Sequence, residues 1–467
     1  MSEDAPLPQP PELDAALLAE AAREVLASGG DDLEELVTSW VRRSGGVAKL
    51  ALGTLGTRGA AIKLLIRGEG LHDLPASDLD EIAEEVVEFL ARHKSAMMKV
   101  GQMLSYVDFV ELSPAVRERL GSLQATSTPM SPEVIAAVVR SELGDIPQRV
   151  FARWSARPFA AASIGQVHRA RLHDGTAVAV KVQYPGIETA TRNDLRNASM
   201  LAAVLQPVSG EIEPQIVARE IRARLLEECD YELEAANQTQ FREWFAADPE
   251  ISVPRVVPDV SSKRVITTTL SEGRTWAEFA EADQAEKNRA GLIIFRMVFT
   301  SIFRHHSFNA DPHPGNYLFR DGVVDFLDFG CVRRFPAEFV RRWRGLMRAV
   351  LEGDAYAHRV YLDSLRLTPE KERRGAFDYD YHMEISQYLY RPWLTDEPFA
   401  YTHDYVMESF KRLVQDNPNR SQLRLPAEFV FVNRLQWGLN SVLAALNAEN
   451  RWRDVMLPLI YGDDGAG

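Results

Sequence analysis

Only two cysteines, Cys229 and Cys331, stand in 467 residues. Without an even, closely spaced set there is no disulfide framework, and neither cysteine has a partner at metal-ligand spacing. Both read as small packing residues of a chain kept in a reducing, cytoplasmic compartment. Basic charge is also short: the formal net charge is −14. With no aromatic-basic stripe, that balance excludes a dedicated nucleic-acid binder. No uncharged apolar run reaches the roughly 18 residues that a membrane span requires. The nearest candidate, 47–66, is interrupted by Lys49, Arg58 and Lys63, and the C-terminal stretch 429–461 by Arg434, Asn440, Asn447, Glu449, Arg451 and Arg453. The first twelve residues are acidic and proline-rich, the opposite of a positively charged leader. No internal repeat is present. A soluble protein is expected.

The informative stretch is Asp311 to Gly330, DPHPGNYLFRDGVVDFLDFG. Asp311 and Asn316 stand five positions apart on a loop broken by proline and glycine. Asp328-Phe329-Gly330 begins twelve residues after Asn316, behind an apolar run from Val323 to Leu327 that reads as a short buried strand. Phosphoryl transfer from ATP needs one carboxylate near the attacking oxygen, and an amide plus a second carboxylate to hold the metal ions that bridge the phosphates. Protein kinases space their Asp, Asn and DFG Asp in this manner. Asp311 is therefore the candidate catalytic carboxylate, and Asn316 and Asp328 are the candidate Mg²⁺ ligands. A lone DFG recurs by chance, whereas the joint spacing is specific.

Such a site also requires a lysine on a strand near the start of the fold. Thr176 to Gln183 alternates in the manner of a half-buried strand, and Asp174-Gly175 before it is a hairpin turn signal. Val178-Ala179-Val180-Lys181 matches the kinase strand whose lysine contacts the α- and β-phosphates. Only nine lysines stand against 44 arginines, so a lysine here is a pointed choice: its ammonium is the compact point charge suited to phosphate. The strand before the turn should carry the phosphate-covering loop. It reads Ala160-Ala161-Ala162-Ser163-Ile164-Gly165, where ordinary kinases have three glycines. Cβ atoms hinder the close backbone approach that glycine allows, so the phosphates of ATP or ADP should be held differently here.

With AAASIGQVH, the tetrad Lys99-Val100-Gly101-Gln102, and Glu228-Cys229-Asp230 with Glu234 in EECDYELEAANQ, the chain resembles the UbiB/AarF family of atypical kinase-like proteins, the group linked to coenzyme Q. The resemblance covers roughly residues 80–450. It implies an α+β, two-lobed protein-kinase-like fold, with a small β-rich nucleotide lobe, a larger helical lobe and an N-terminal helical extension carrying Lys-x-Gly-Gln. It implies that Glu234 pairs with Lys181. It further implies that the helix bearing Lys99 and Gln102 lids the active site, with Lys99 near Glu228 and Asp230, and blocks the groove where a kinase seats a peptide. The expected organisation is a disordered tail at 1–12, the helical extension at 13–149, the nucleotide lobe with inserted helices at 150–270, the helical lobe at 271–461 and a flexible tail at 462–467. Ser131-Pro132 opens a helix. Glu228, Asp230 and Glu234 are expected on one long helix from about Pro214 to Phe245, and an inserted helix is expected at 187–205.

After Gly330 the chain runs Cys-Val-Arg-Arg-Phe-Pro-Ala-Glu into a helix ending near Val350, with no activation segment and no Ala-Pro-Glu. That omits the element on which protein kinases dock peptides. Three activities stay open: an ATPase or small-molecule phosphotransferase, a protein kinase, and a nucleotide-binding scaffold without turnover. The first keeps a chemical need for all of Lys181, Glu234, Asp311, Asn316 and Asp328. The resemblance implies a prenyl-lipid or quinone-like partner and peripheral contact with the inner face of a membrane. Two basic sets suit such contact, Lys49, Arg58, Lys63 and Arg67 among apolar residues, and Arg341, Arg342, Arg344 and Arg348 beside Trp343. The second set is also the composition of an ordinary helix whose arginines are solvated or paired. Neither the phosphoryl acceptor nor the oligomeric state is written in the sequence.

Overall fold

A computed structural model describes residues 130–162, 164–189, 226–310, 312–369, 377–419, 422–423 and 426–462. The described residues fall into two compact units. The first holds those up to Ala235 together with Val256–Leu270, and the second holds Ala236–Arg255 and those from Ser271 onward. The inserted helix expected at 187–205 lies, beyond residue 189, outside the described residues.

Among the described residues the first unit holds an antiparallel sheet of five strands with a long helix packed against it. Helix α1 (Pro132–Leu143) starts at the proline and ends at Gly144, whose φ of 86° makes a left-handed cap. The strands are β1 (Arg153–Trp154), β2 (Ala160–Ala162), β3 (Gly165–Arg171), β4 (Ala177–Gln183) and β6 (Val265–Thr269), in the order β1-β3-β4-β6 with β2 also on β3. The β3–β4 hairpin turns at Asp174-Gly175: Gly175 takes a φ of 91° and Asp174 accepts from the Thr176 amide at 2.8 Å. Alternation along β4 sends Val178, Val180 and Val182, all fully buried, into a core shared with Ile135, Val138 and Val139 of α1. Each such valine contributes roughly 1.5–3 kcal/mol by leaving water. The same alternation turns Lys181 to the other face of the strand. Helix α1 therefore belongs with the sheet, although its sequence position placed it in the N-terminal extension.

Helix α2 (Tyr231–Trp244) corrects the expectation of one long helix through 214–245. A helical turn at 226–228 stops at Cys229-Asp230. One Asp230 carboxylate oxygen accepts from the amides of Glu232 and Leu233, both at 3.1 Å, and starts a new helix. Aspartate is a strong N-cap because it satisfies amides that have no helical partner.

The second unit is mainly helical but, among the described residues, keeps three small sheets, the smallest pairing Phe399–Ala400 with Glu449–Asn450. Strand β5 (Ile251–Ser252) pairs in parallel with β9 (Val323–Phe326), which pairs antiparallel with β8 (Tyr317–Arg320); β7 (Ser307–Asn309) pairs with β10 (Val332–Arg334). Residues 236–255, assigned from sequence to the nucleotide lobe, join this unit because β5 completes its sheet. The buried spine is α3 (Gln284–His305), with Ile293, Ile294, Phe295, Ile302 and Phe303 in the core. Around it pack α4 (Ala337–Glu352), α5 (Ala355–Ser364), α6 (Tyr379–Leu389), α7 (Ala427–Ala445) and α8 (Trp452–Tyr461). Both cysteines are buried.

Candidate active site

Strand β4 and helix α2 bring Lys181 and Glu234 together across 53 residues. The ammonium lies 2.9 Å from Oε1 and 3.0 Å from Oε2, and the side chains are 17% and 4% exposed. A buried carboxylate needs such a partner, and two bonds to one amine fix the lysine's direction as well as its charge. The ring of Tyr231 lies 4.9 Å from the same ammonium, an aromatic wall that no motif announced.

The alanine-rich segment is itself a strand. Ala160 faces Val167, Ala161 faces Gln166 and Ala162 faces Gly165, while Val167 faces Lys181 on the far side of β3. Gly165 is obligatory: a Cβ there would come 2.3 Å from the carbonyl oxygen of Val182. Behind the hairpin, Gln166 and His168 form a buried polar chain. Gln166 Oε1 accepts from the Met130 amide at 2.9 Å, so its Nε2 donates to His168 Nε2 at 3.0 Å, and His168 Nδ1 donates to the Ser155 carbonyl at 2.8 Å. Burial holds His168 below the usual histidine range, against the Ser155 carbonyl, which raises it. Ser163 lies outside the described residues.

The metal-binding candidates come together at one end of a hairpin. Strands β8 and β9 are closed by Asp321-Gly322, with φ of 43° and 77°, as a two-residue turn requires. The ladder runs from Arg320↔Val323 to Tyr317↔Phe326, and one step further the Leu327 amide donates to the Asn316 carbonyl at 3.0 Å. Asn316 and Asp328 thus leave the same end of the hairpin. One Asp328 carboxylate oxygen accepts from the Gly330 amide at 2.9 Å. A small cavity of about 20 Å³ opens beside them, lined by Asn309, Asn316, Asp328 and Ser301 with Phe241 and Met297 among its apolar walls, enough for one water. Helix α7 closes on the same loop through Gly438, where a Cβ would stand 2.3 Å from Pro312 Cγ. Asp311 lies outside the described residues, as do Lys99 and Gln102. Glu228 and Asp230 are described, and Asp230 caps α2.

Amide and carboxylate oxygens are the hard donors that Mg²⁺ takes, and with phosphates and water supplying most ligands it needs only one or two carboxylates. Among the described residues no group of three His, Cys, Asp or Glu is placed to hold a metal unaided. From Gly330 the chain passes through β10 directly into α4, so the peptide-docking segment is missing in the structure as in the sequence.

The basic helix follows the ordinary of its two readings, its arginines paired or packed rather than offered to lipid. On α4, Arg341 and Arg342 pair with Glu338, Arg344 is buried and donates to the Phe303 carbonyl, Arg348 donates to the Ile460 carbonyl, and Trp343 is buried. The stripe of arginines is a packing device in which each long side chain finds a carbonyl or a carboxylate.

A family model described as the ABC1 atypical kinase-like domain matches residues 122–361. The mitochondrial atypical kinase COQ8B of Rattus norvegicus is 30% identical over 451 residues, covering 94% of this chain and 84% of that protein. COQ8 of Saccharomyces cerevisiae is 32% identical over 278 residues, covering 59% of this chain and 54% of that protein. The solved complex of Rv3197 with erythromycin from Mycobacterium tuberculosis is 28% identical, with a TM-score of 0.63, over 84% of this chain and 98% of that one. At that identity and coverage the chain belongs to the ABC1 atypical kinase-like family, the UbiB and COQ8 group, and is an ATP-binding enzyme of the kinase and ATPase class.

Proposed function

We propose that this chain is a magnesium-dependent enzyme that hydrolyses ATP or passes its terminal phosphoryl group to a small or lipid-like acceptor, in the service of isoprenoid quinone or other prenyl-lipid metabolism. The observation that carries the reading is the hairpin end that sets Asn316 beside Asp328. In this reading Asn316 and Asp328 hold Mg²⁺, which when bound neutralises the charge on the phosphates. Lys181, oriented by Glu234, contacts the α- and β-phosphates, and Ala160, Ala161, Ala162, Ser163 and Gly165 cover them. Asp311 accepts the proton of the attacking oxygen. Lys99 and Gln102, with Glu228 and Asp230, form a lid. A small or lipid-like acceptor is supported by the direct passage from β10 to α4. The COQ8 relatives support the quinone link, and the Mycobacterium relative is in complex with a small molecule, erythromycin. Peripheral contact with the inner face of a membrane follows from a lipid-like acceptor.

The test is ATP turnover by the purified protein, with and without a prenyl-phenol and anionic liposomes, beside Asp328→Asn. Turnover should depend on magnesium, rise with the lipid additions and vanish in the variant. The variant should also lose the thermal shift given by Mg-ADP, which corresponds to about 2.7 kcal/mol at a hundredfold excess of ligand over Kd. An equal shift in both proteins would sink the assignment of Asp328.

A further inference from the structure

The tripeptide Asp328-Phe329-Gly330 is held by two asparagines that reach it from different elements of the second unit. Asn309, at the end of β7, donates its side-chain amide to the carbonyl of Asp328. Asn237, on α2, donates its amide to the carbonyl of Phe329 at 3.2 Å. Two successive carbonyls are therefore each gripped by a side-chain amide. The amide of Asn237 cannot be turned around, because Arg334 on β10 donates to its Oδ1 at 3.1 Å and to Gln240 at 3.0 Å. Oδ1 faces the guanidinium, and Nδ2 is left for Phe329. The register of β7 and β10 sets Asn309 opposite Val332, and the Ala310 amide donates to the Cys331 carbonyl at 2.8 Å. Phe329 is fully buried with its ring 5.0 Å from that of Phe241, one further turn along α2 from Asn237.

We propose that Asn237 and Asn309 are positioning residues for Asp328: they fix the main chain from which its carboxylate projects and hold it ready for Mg²⁺ without help from an activation segment. The inference rests on the reading of Asp328 as a magnesium ligand. A tightly bound metal needs its ligands preorganised by neighbouring hydrogen bonds, and here the segment after Gly330 goes straight into β10, so the bracing comes from α2 and β7. Asn237 stands three residues after Glu234, on the same face of the helix.

The mere satisfaction of two buried carbonyls would predict a loss of stability and nothing else. The discriminating measurement is the magnesium dependence of ADP binding, followed as a thermal shift or with a fluorescent ADP, in the whole chain and in Asn237→Asp and Asn309→Ala. Asn237→Asp keeps the size and the acceptor for Arg334 and replaces the donor to Phe329 by a carboxylate oxygen. Its added negative charge, if it acts on the metal at all, favours binding, the opposite of the expected effect. The magnesium midpoint should rise at least tenfold in each variant, while the affinity for ADP in EDTA stays within twofold. Either variant suffices if the other does not fold. An unmoved midpoint beside a lowered melting temperature overturns the proposal and leaves the asparagines as packing residues. If the wild type itself binds ADP without regard to magnesium, Asp328 is misassigned and the proposal falls with it.

Discussion

Burial dictates what a titratable side chain does, and this chain shows two opposite uses of it. Glu234 is buried and kept as a partner of Lys181. His358 and His382 are buried and, among the described residues, pair with no carboxylate. His358 Nε2 stands 3.4 Å from His382 Nδ1, and Ser386 Oγ stands 3.4 and 3.3 Å from these two nitrogens while donating to the His382 carbonyl at 2.8 Å. Burial depresses His358 to about 4, helped by the charge of Arg359, and His382 to about 3, helped by His358. In the unfolded chain both titrate near 6.5. Below that pH the unfolded chain takes up protons that the folded chain refuses, so this contribution to stability is whole above about 6.5 and is lost as pH falls toward 4. Each tenfold loss of proton affinity on folding corresponds to about 1.4 kcal/mol, so the pair is worth several kcal/mol. Urea midpoints at pH 8 and pH 5 should therefore differ clearly in the wild type and much less in a His358→Asn, His382→Gln variant; equal differences would show that other groups govern acid sensitivity. Nothing in the sequence marked this pair, since its members are 24 residues apart and each looks like an isolated helical histidine. Lys181 and Glu234 were legible because motifs carried them, whereas Asn237 and Asn309 act through contacts that span 92 and 19 residues.

Hairpins are where local sequence and structure agree most closely, because a two-residue turn tolerates few residue types. Asp174-Gly175 and the apolar run behind Asp328 were readable for that reason. The helix around Glu234 was readable in type but not in extent, because an aspartate inside an acidic stretch looks like a solvated face until its carboxylate is seen capping the next turn. Nor did any signal reveal that β5 joins β9, since a parallel pairing over two residues leaves no pattern. Helix α7 offers a sharper test of element packing. Replacing Gly438 by alanine should stabilise an isolated helix by about 1 kcal/mol. Here the new methyl meets the ring of Pro312, which has little freedom to retreat, and Pro312 follows Asp311 directly. Gly438→Ala should therefore lower kcat for ATP turnover on the order of a hundredfold, as a displacement of about 1 Å at a reacting group does, with KM for ATP changed far less. A variant of raised melting temperature and unaltered kcat would refute the coupling.

At the scale of the whole molecule, charge sets the terms on which a lipid-like acceptor is met. A net charge of −14 repels anionic membranes, and among the described residues no helix is long and apolar enough to cross one. A local basic surface is the electrostatic route to attachment that such a net charge leaves. The arginines of α4 do not supply it: Arg344 and Arg348 are spent on carbonyls, and Arg341 and Arg342 share Glu338. The sequence leaves Lys49, Arg58, Lys63 and Arg67, which lie outside the described residues, set among apolar residues. Each basic side chain near an anionic surface contributes about 1 kcal/mol, and the attraction fades beyond a Debye length of about 10 Å at 0.1 M salt. Flotation with cardiolipin-containing vesicles should thus succeed at low salt and fail at high salt. Replacing all four residues by glutamine should abolish it, while Arg341→Gln with Arg342→Gln should leave it intact. Flotation that survives the fourfold replacement would move the lipid surface elsewhere. Flotation absent at every composition and salt would leave an enzyme that meets its acceptor in solution, with the prenyl-lipid link resting on its relatives alone.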